Sequence, residues 1–190
     1  MFCLPDNQYK NSMKKIWILA LLALISKVSM AQYKPVDKGS TLQFTIQNLG
    51  FDVGGSFSGF DGTINFDPAN LAGAEFDVSI DASKINTDNS FRDGHLRDES
   101  YFDVKKYPRI RFVSTKVTPS GKNGTFTISG KLTIKNQTKD ISFPFTAVPS
   151  NGAYVFKGTF KINRKDFGVG GTSTISDELV VVLNVLTTKA

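Results

Sequence analysis

The sequence predicts an all-β protein whose antiparallel strands close into an up-and-down barrel or pack as a sandwich. Three observations carry this. Apolar residues recur with period two along most of residues 33–187, the signature of strands with one buried face. The connections are short and rich in Pro, Gly, Asn and Asp, so successive strands pair antiparallel. Only residues 91–111, FRDGHLRDESYFDVKKYPRIR, abandon the alternation.

The strands follow in order. Leu42, Phe44 and Ile46 mark the first. Phe51, Val53 and Phe57 mark the second, interrupted by Gly54-Gly55, a pair that signals a bulge or sharp bend. Phe60, Gly62, Ile64 and Phe66 run up to the Asp67-Pro68 turn. Ala74, Phe76, Val78 and Ile80 precede the charged stretch; Ile110 and Phe112, then Val113, Thr115 and Val117, follow it, with room for a change of face between the two groups. Phe126, Ile128, Gly130, Leu132 and Ile134 form the clearest set. Ile141, Phe143, Phe145 and Ala147 form another, with Pro144 on the opposite face, then Tyr154, Phe156, Gly158, Phe160 and Ile162, and last Leu179, Val181, Leu183 and Val185. The count is eight strands, or nine if Gly54-Gly55 counts as a break.

The charged stretch places Arg92, Asp93, His95, Arg97, Asp98 and Glu99 within eight residues. Ser90 followed by Asp93 fits a capping box, so a short helix from about Phe91 is expected. Pro108 disfavours the α region at Tyr107 and opens the next strand. Scaffold connections are short, so a long charged one reads as a functional loop or helix, gating a ligand or plugging one end of the barrel.

The first 31 residues read as dispensable to the fold. Met13-Lys14-Lys15 is a positive n-region, Ile16 to Ile25 a short apolar run, and Ser29-Met30-Ala31 a cleavage site, together a secretory signal peptide cut after Ala31. The run falls short of the roughly 20 residues of a membrane span; an uncleaved anchor is the alternative. Translation is expected to start at Met13, with residues 1–12 an upstream extension. Residues 32–190 then form one exported domain, periplasmic or secreted. They carry 19 Lys and Arg against 16 Asp and Glu, a net charge of +3, too weak to argue for nucleic acid. Cys3, the one cysteine, lies outside this region, so no disulfide staples the core.

Fifteen of the 16 phenylalanines fall in residues 32–190. Eight strands enclose an interior that side chains can just fill or that holds one small ligand, and composition does not separate a solid core from an apolar pocket. Alternation also suits a membrane barrel with its apolar face outward. A polar C-terminus and aromatics spread along the strands, rather than gathered in girdles, favour the inward arrangement.

Catalysis is poorly supplied. His95 is the only histidine; a triad would use it with Asp93 or Asp98, and a zinc site needs more ligands than one. No phosphate-binding Gly-rich motif or calcium loop fits, so no metal and no cofactor is expected. Residues 164–171, RKDFGVGG, suggest a close backbone approach or a lip. Arg164 and Asp166 could pair with Asp93 or Arg97 across the barrel mouth. Alternatively Arg92, Arg97 and Arg164, with His95, meet an anionic head group, since guanidinium suits phosphate and carboxylate.

The stretches FTIQNLGFDVGGSFSGFDGTINFD, SIDASKINTDNSFRDGHLRDESYFDVKKYPRIRF, ISGKLTIKNQTKDISFPF, NRKDFGVGG and ISDELVVVLNV, in that order, resemble the YceI-like family of periplasmic lipid-binding proteins across residues 33–187. RDGHLRDESYFDVKKYP is the most specific part. The resemblance implies an extended, lipocalin-like, antiparallel eight-stranded β-barrel and a long pocket for a polyisoprenoid or fatty-acid-like lipid. It implies no catalytic activity. By position, the pocket would be lined by Phe44, Phe57, Phe76, Leu96, Phe102, Phe112, Phe145, Phe160 and Phe167. Transient membrane contact and a homodimer are left open. The chain departs from the family pattern at Tyr33, often Trp; at Gly39-Ser40, often His-Ser; and at Asn48, often His.

Overall fold

The structure, a computed structural model, describes residues 31–171 and 174–190; the expected signal peptide lies outside the described residues. Nine strands form: β1 (Gln32–Pro35), β2 (Thr41–Asn48), β3 (Phe51–Asn65), β4 (Glu75–Asn86), β5 (Arg109–Pro119), β6 (Thr125–Ile134), β7 (Gln137–Ser150), β8 (Ala153–Asn163) and β9 (Ile175–Lys189). One α-helix, α1 (Ser90–Arg97), and two 3-10 turns, Leu71–Gly73 and Arg164–Phe167, complete the described elements.

Strands β2 to β9 pair antiparallel, each with the next. The ring closes where Thr41 to Asn48 of β2 pair with β9. The result is an eight-stranded up-and-down barrel, closed all the way round although not every pair of neighbours is bonded along its full length. The ninth strand arises differently from the expected break. β3 runs unbroken through Gly54-Gly55, because its pairing to β2 continues from Phe51 to Phe57. The additional strand is β1, which bridges the ends of β3 and β9 beyond the start of β2. Its four residues carry one buried side chain, Tyr33, too short a pattern to register as alternation.

Alternation resolves in favour of an apolar interior. On β6, Phe126, Ile128, Leu132 and Ile134 are buried and Lys131 is exposed; on β7, Phe143, Phe145 and Ala147 are buried and Pro144 is exposed. This is the reverse of a membrane barrel's apolar outer band. Among the described residues no helix is long and apolar enough to cross a membrane. In β5 the buried phase changes from Ile110 to Val117, and the cause is a register shift between Ser114 and Lys116.

The two barrel ends differ. One carries β1 and the β5–β6 and β7–β8 turns, and Phe66 fills it. Phe66 is 1% exposed, with ring centroids 5.2–6.1 Å from Phe76, Phe126, Phe145, Tyr154 and Phe156. Edge-to-face contacts of this kind dominate the set and add to the area term. The other end carries the β2–β3 turn, α1 with the turns that follow it, and the Arg164–Phe167 turn.

The helix begins one residue before the expected cap. Asn89 is the N-cap, and its side chain accepts from the Arg92 N–H at 3.0 Å. The Ser90–Asp93 capping box does not form. Asp93 turns inward and accepts from the Thr87 N–H at 2.9 Å and the Thr87 hydroxyl at 2.6 Å. Asn caps as well as Ser does, so drawing Asp93 into the loop leaves the helix start satisfied.

Candidate functional site

The barrel is not packed shut. Two cavities, of about 130 Å³ and about 180 Å³, lie end to end inside it. Each is roughly ten times what a single water requires. The inner one starts at Phe76, Phe145 and Phe156, directly above the Phe66 plug, and includes Val78, Phe112, Phe143 and Leu183. The outer one reaches α1 and the Arg164–Phe167 turn and includes Phe44, Phe57, Leu96, Phe102, Phe167 and Val169. Leu42, Ile80, Ile110, Leu132 and Phe160 line both, a shared waist between them. The walls along β9 extend from Ile175 to Val185. Ten steps of about 3.3 Å, tilted by about 40°, make the bore about 25 Å long.

The mouth is built from three segments tied together by backbone hydrogen bonds. The chain after α1 folds back, with Phe102 N–H donating to Leu96 C=O at 3.0 Å and Val104 N–H to Arg97 C=O at 3.1 Å; this delivers Phe102 against Phe57, centroids 5.5 Å apart. Gly170 N–H donates to Ser100 C=O at 3.0 Å, and Lys135 Nζ donates to Glu99 C=O at 2.6 Å. At Gly170, φ is +71° and a Cβ would sit 2.9 Å from Tyr101 and from Arg164, so glycine is required there. The RKDFGVGG stretch is thus a lip held against the charged stretch by close backbone contact.

All nine side chains expected along the pocket, Phe44, Phe57, Phe76, Leu96, Phe102, Phe112, Phe145, Phe160 and Phe167, face these two cavities. Of the five waist residues only Phe160 is among these nine; Leu42, Ile80, Ile110 and Leu132 belong to the same period-two sets. Of the four expected head-group residues, Arg92 and Arg164 reach the outer cavity. His95 does not line it; it is exposed, 3.8 Å from Asp98, with its ring edge-on to Phe91. Arg97 lies outside it too, donating to the carbonyls of Ser83 and Ile85 at 2.7 and 2.8 Å.

The arginines largely serve the backbone. β4 pairs irregularly with β3, Asp81 facing Ser58 and Asn86 facing Ser56, so the carbonyls between them lack strand partners. Arg97 supplies donors to two of these, the exposed carbonyl of Ser83 and the part-buried one of Ile85. Arg92 donates to the Thr87 hydroxyl and carbonyl at 2.8 and 2.7 Å. Arg164, 7% exposed, donates to the carbonyls of Val169, Ser176 and Ile175 and pairs with Asp177 at 3.1 Å. The alternative pairing of Arg164 with Asp93 is replaced by these contacts. Asn48, at one of the departures from the family pattern, faces the outer cavity, and its side chain accepts from the Thr174 hydroxyl at 2.8 Å.

Beside the mouth the wall is notched. Residues 51–55 of β3 have no partner on β4, and a polar groove of about 550 Å³ opens there, between Asp52, Gly54 and Gly55 on one side and Asn86, Thr87 and Asp88 on the other. Phe44, Val53, Thr87 and Arg92 line both this groove and the outer cavity. Among the described residues, no three His, Cys, Asp or Glu side chains gather in a way that would hold a metal ion.

The YceI-like domain family matches residues 33–186. A UPF0312 protein of Vibrio cholerae is 30% identical over 184 residues, covering 90% of this chain and 97% of its own length. One of Shewanella denitrificans is 33% identical over 159 residues, covering 79% and 83%. A Campylobacter jejuni YceI protein crystal structure is 28% identical, covers 76% of this chain and 93% of its own, and superposes with a TM-score of 0.63. Burkholderia cenocepacia BcnA, 24% identical, covers 82% and 99% with a TM-score of 0.76 and shares the fold. So does a Saccharophagus degradans domain described as polyisoprenoid-binding, 16% identical, covering 85% and 100% with a TM-score of 0.69. With its barrel, its charged stretch over the mouth and its match over nearly all described residues, the chain belongs to the YceI-like family.

Proposed function

We propose that this chain is an exported carrier that holds one long-chain lipid, a polyisoprenoid or a similar amphipathic chain, inside the barrel and shields it from water. The observation that carries the reading is the pair of largely apolar cavities lying end to end from the Phe66 plug to the α1 mouth. The description of the Saccharophagus degradans fold neighbour supports the same ligand class. The nine bore-lining residues contact the chain, and its polar end sits at the mouth by Arg92 and Arg164. The protein binds rather than turns over its cargo: His95 faces solvent and Asp93 is committed to Thr87.

Burying such a chain contributes about 0.8 kcal/mol per CH₂ relative to water, but almost nothing relative to a bilayer, whose tails are equally apolar. The protein therefore carries lipid across an aqueous space and releases it at membranes. Export through the leader ending at Ala31 places that space in the periplasm or outside the cell.

A titration tests this. Residues 32–190 mixed with a fluorescent polyene fatty acid should give saturable emission at one equivalent, displaced by a long polyisoprenoid alcohol. Folded barrel that never enhances the emission overturns the reading.

A further inference from the structure

The geometry points to a bilayer-docking surface at the notched side of the mouth, formed by Leu49, Phe51 and Phe91, through which cargo passes between membrane and bore; the inference rests on the carrier reading. These three are the most exposed large apolar side chains among the described residues, at 71%, 76% and 78%. Leu49 and Phe51 sit on the tip of the β2–β3 hairpin and Phe91 in the first turn of α1. Their chain neighbours Asp52 and Arg92 line the two sides of the polar groove, so the three flank a notch that shares walls with the outer cavity.

The hairpin tip adds an independent sign. Leu49 and Gly50 both have positive φ, +52° and +83°, the turn that ordinarily takes Asn-Gly. Leu49 is the one apolar residue among the described non-glycine positions with positive φ. A branched apolar side chain there is unfavourable both in backbone conformation and in exposure, which points to a use outside the folded barrel itself.

Area and charge select the occupant. Three such side chains offer on the order of 400 Å², about half of the roughly 800 Å² per partner of a stable protein interface. They project from two separate tips with a polar groove between them, which suits insertion among lipid head groups rather than a flat protein partner. The groove carries Asp52 and Asp88 against Arg92, and residues 32–190 are only +3 overall. Attraction to anionic lipid is therefore not the driving term, and association is insensitive to salt.

Residues 32–190 hold every strand of the closed barrel and contain no tryptophan, so a single introduced one reports its surroundings. Phe51→Trp and Phe91→Trp should shift their emission to the blue with phosphatidylcholine vesicles, at low and high salt alike, and be quenched by brominated lipid. Val148→Trp, exposed on the barrel wall, should stay unshifted. The combined Leu49→Ser, Phe51→Ser and Phe91→Ser variant should keep fluorescent fatty-acid binding and lose vesicle partitioning by about tenfold or more. Fatty-acid binding with no vesicle shift overturns the docking surface and leaves the carrier reading standing. A vesicle shift without fatty-acid binding keeps the surface and removes the carrier. Concentration-dependent self-association without vesicles, abolished by Phe51→Ser, overturns it in favour of a second copy.

Discussion

The end of the Phe44 ring fills the space of a side chain on its cross-strand partner Gly55: a Cβ built on Gly55 would come within 2.6 Å of Phe44 Cε1. Gly55 exists so that this ring can stand between the outer cavity and the side groove, both of which it lines. Gly55→Ala is expected to displace the ring, destabilise the barrel by about 1–3 kcal/mol and change the rate of fatty-acid uptake more than the final occupancy. Stopped-flow fluorescence with parallel urea unfolding checks both.

Phe66 is the hub of the closed end. Phe66→Ala should cost about 3–5 kcal/mol, because five neighbouring rings cannot all collapse into the vacated space. Chemical denaturation measures it. If the variant stays folded, its bore is lengthened, and it should accept longer chains than the parent.

Leu42 sits at the waist between the two cavities. Leu42→Trp should shorten the bore without touching the mouth. If about four methylenes are kept out of the inner cavity, affinity for a long chain falls by about 3 kcal/mol, roughly a hundredfold, while a short fatty acid held in the outer cavity binds nearly as before. Equal losses for both lengths would show that the two cavities do not act as one bore.

Tyr154 at the closed end provides a pH signature. Burial, with the neighbouring Tyr33 and Asp67, pushes its phenol above its ordinary range. The folded state therefore holds this proton more tightly than the unfolded one. The resulting stability is fully present below pH 10, the unfolded value, and is lost as pH rises through the folded value. Tyr154→Phe should flatten that alkaline decline and leave stability near neutrality almost unchanged, as thermal melts from pH 8 upward would record.

The strands were legible because a barrel wall buries every second residue, and β6 and β7 obey this with few exceptions. Six of the nine bore residues lie on such strands; Leu96, Phe102 and Phe167 lie on α1, the turn after it and the Arg164–Phe167 turn, and only the family resemblance pointed to them. Other features depend on contacts that no local pattern encodes. Gly54-Gly55 does not break β3, because β2 stays paired alongside. Arg97 looked free for a head group, yet its partners are carbonyls exposed by the irregular pairing of β4, about a dozen residues upstream. Whether the domain's fifteen phenylalanines leave a bore or fill it is set by how their rings pack in three dimensions, with Phe66 gathered against five other rings at one end. Period-two counting puts Phe66 on the inward face but does not say which rings it meets.

Native mass spectrometry of residues 32–190, purified without detergent after export in a bacterial host, tests the central claim most directly. The account predicts a barrel carrying one lipid-sized added mass that collisional activation removes, and loss of that mass in Leu42→Trp. Folded barrel that always flies at its bare mass, and takes up no chain when offered polyisoprenoid or fatty acid, would contradict it.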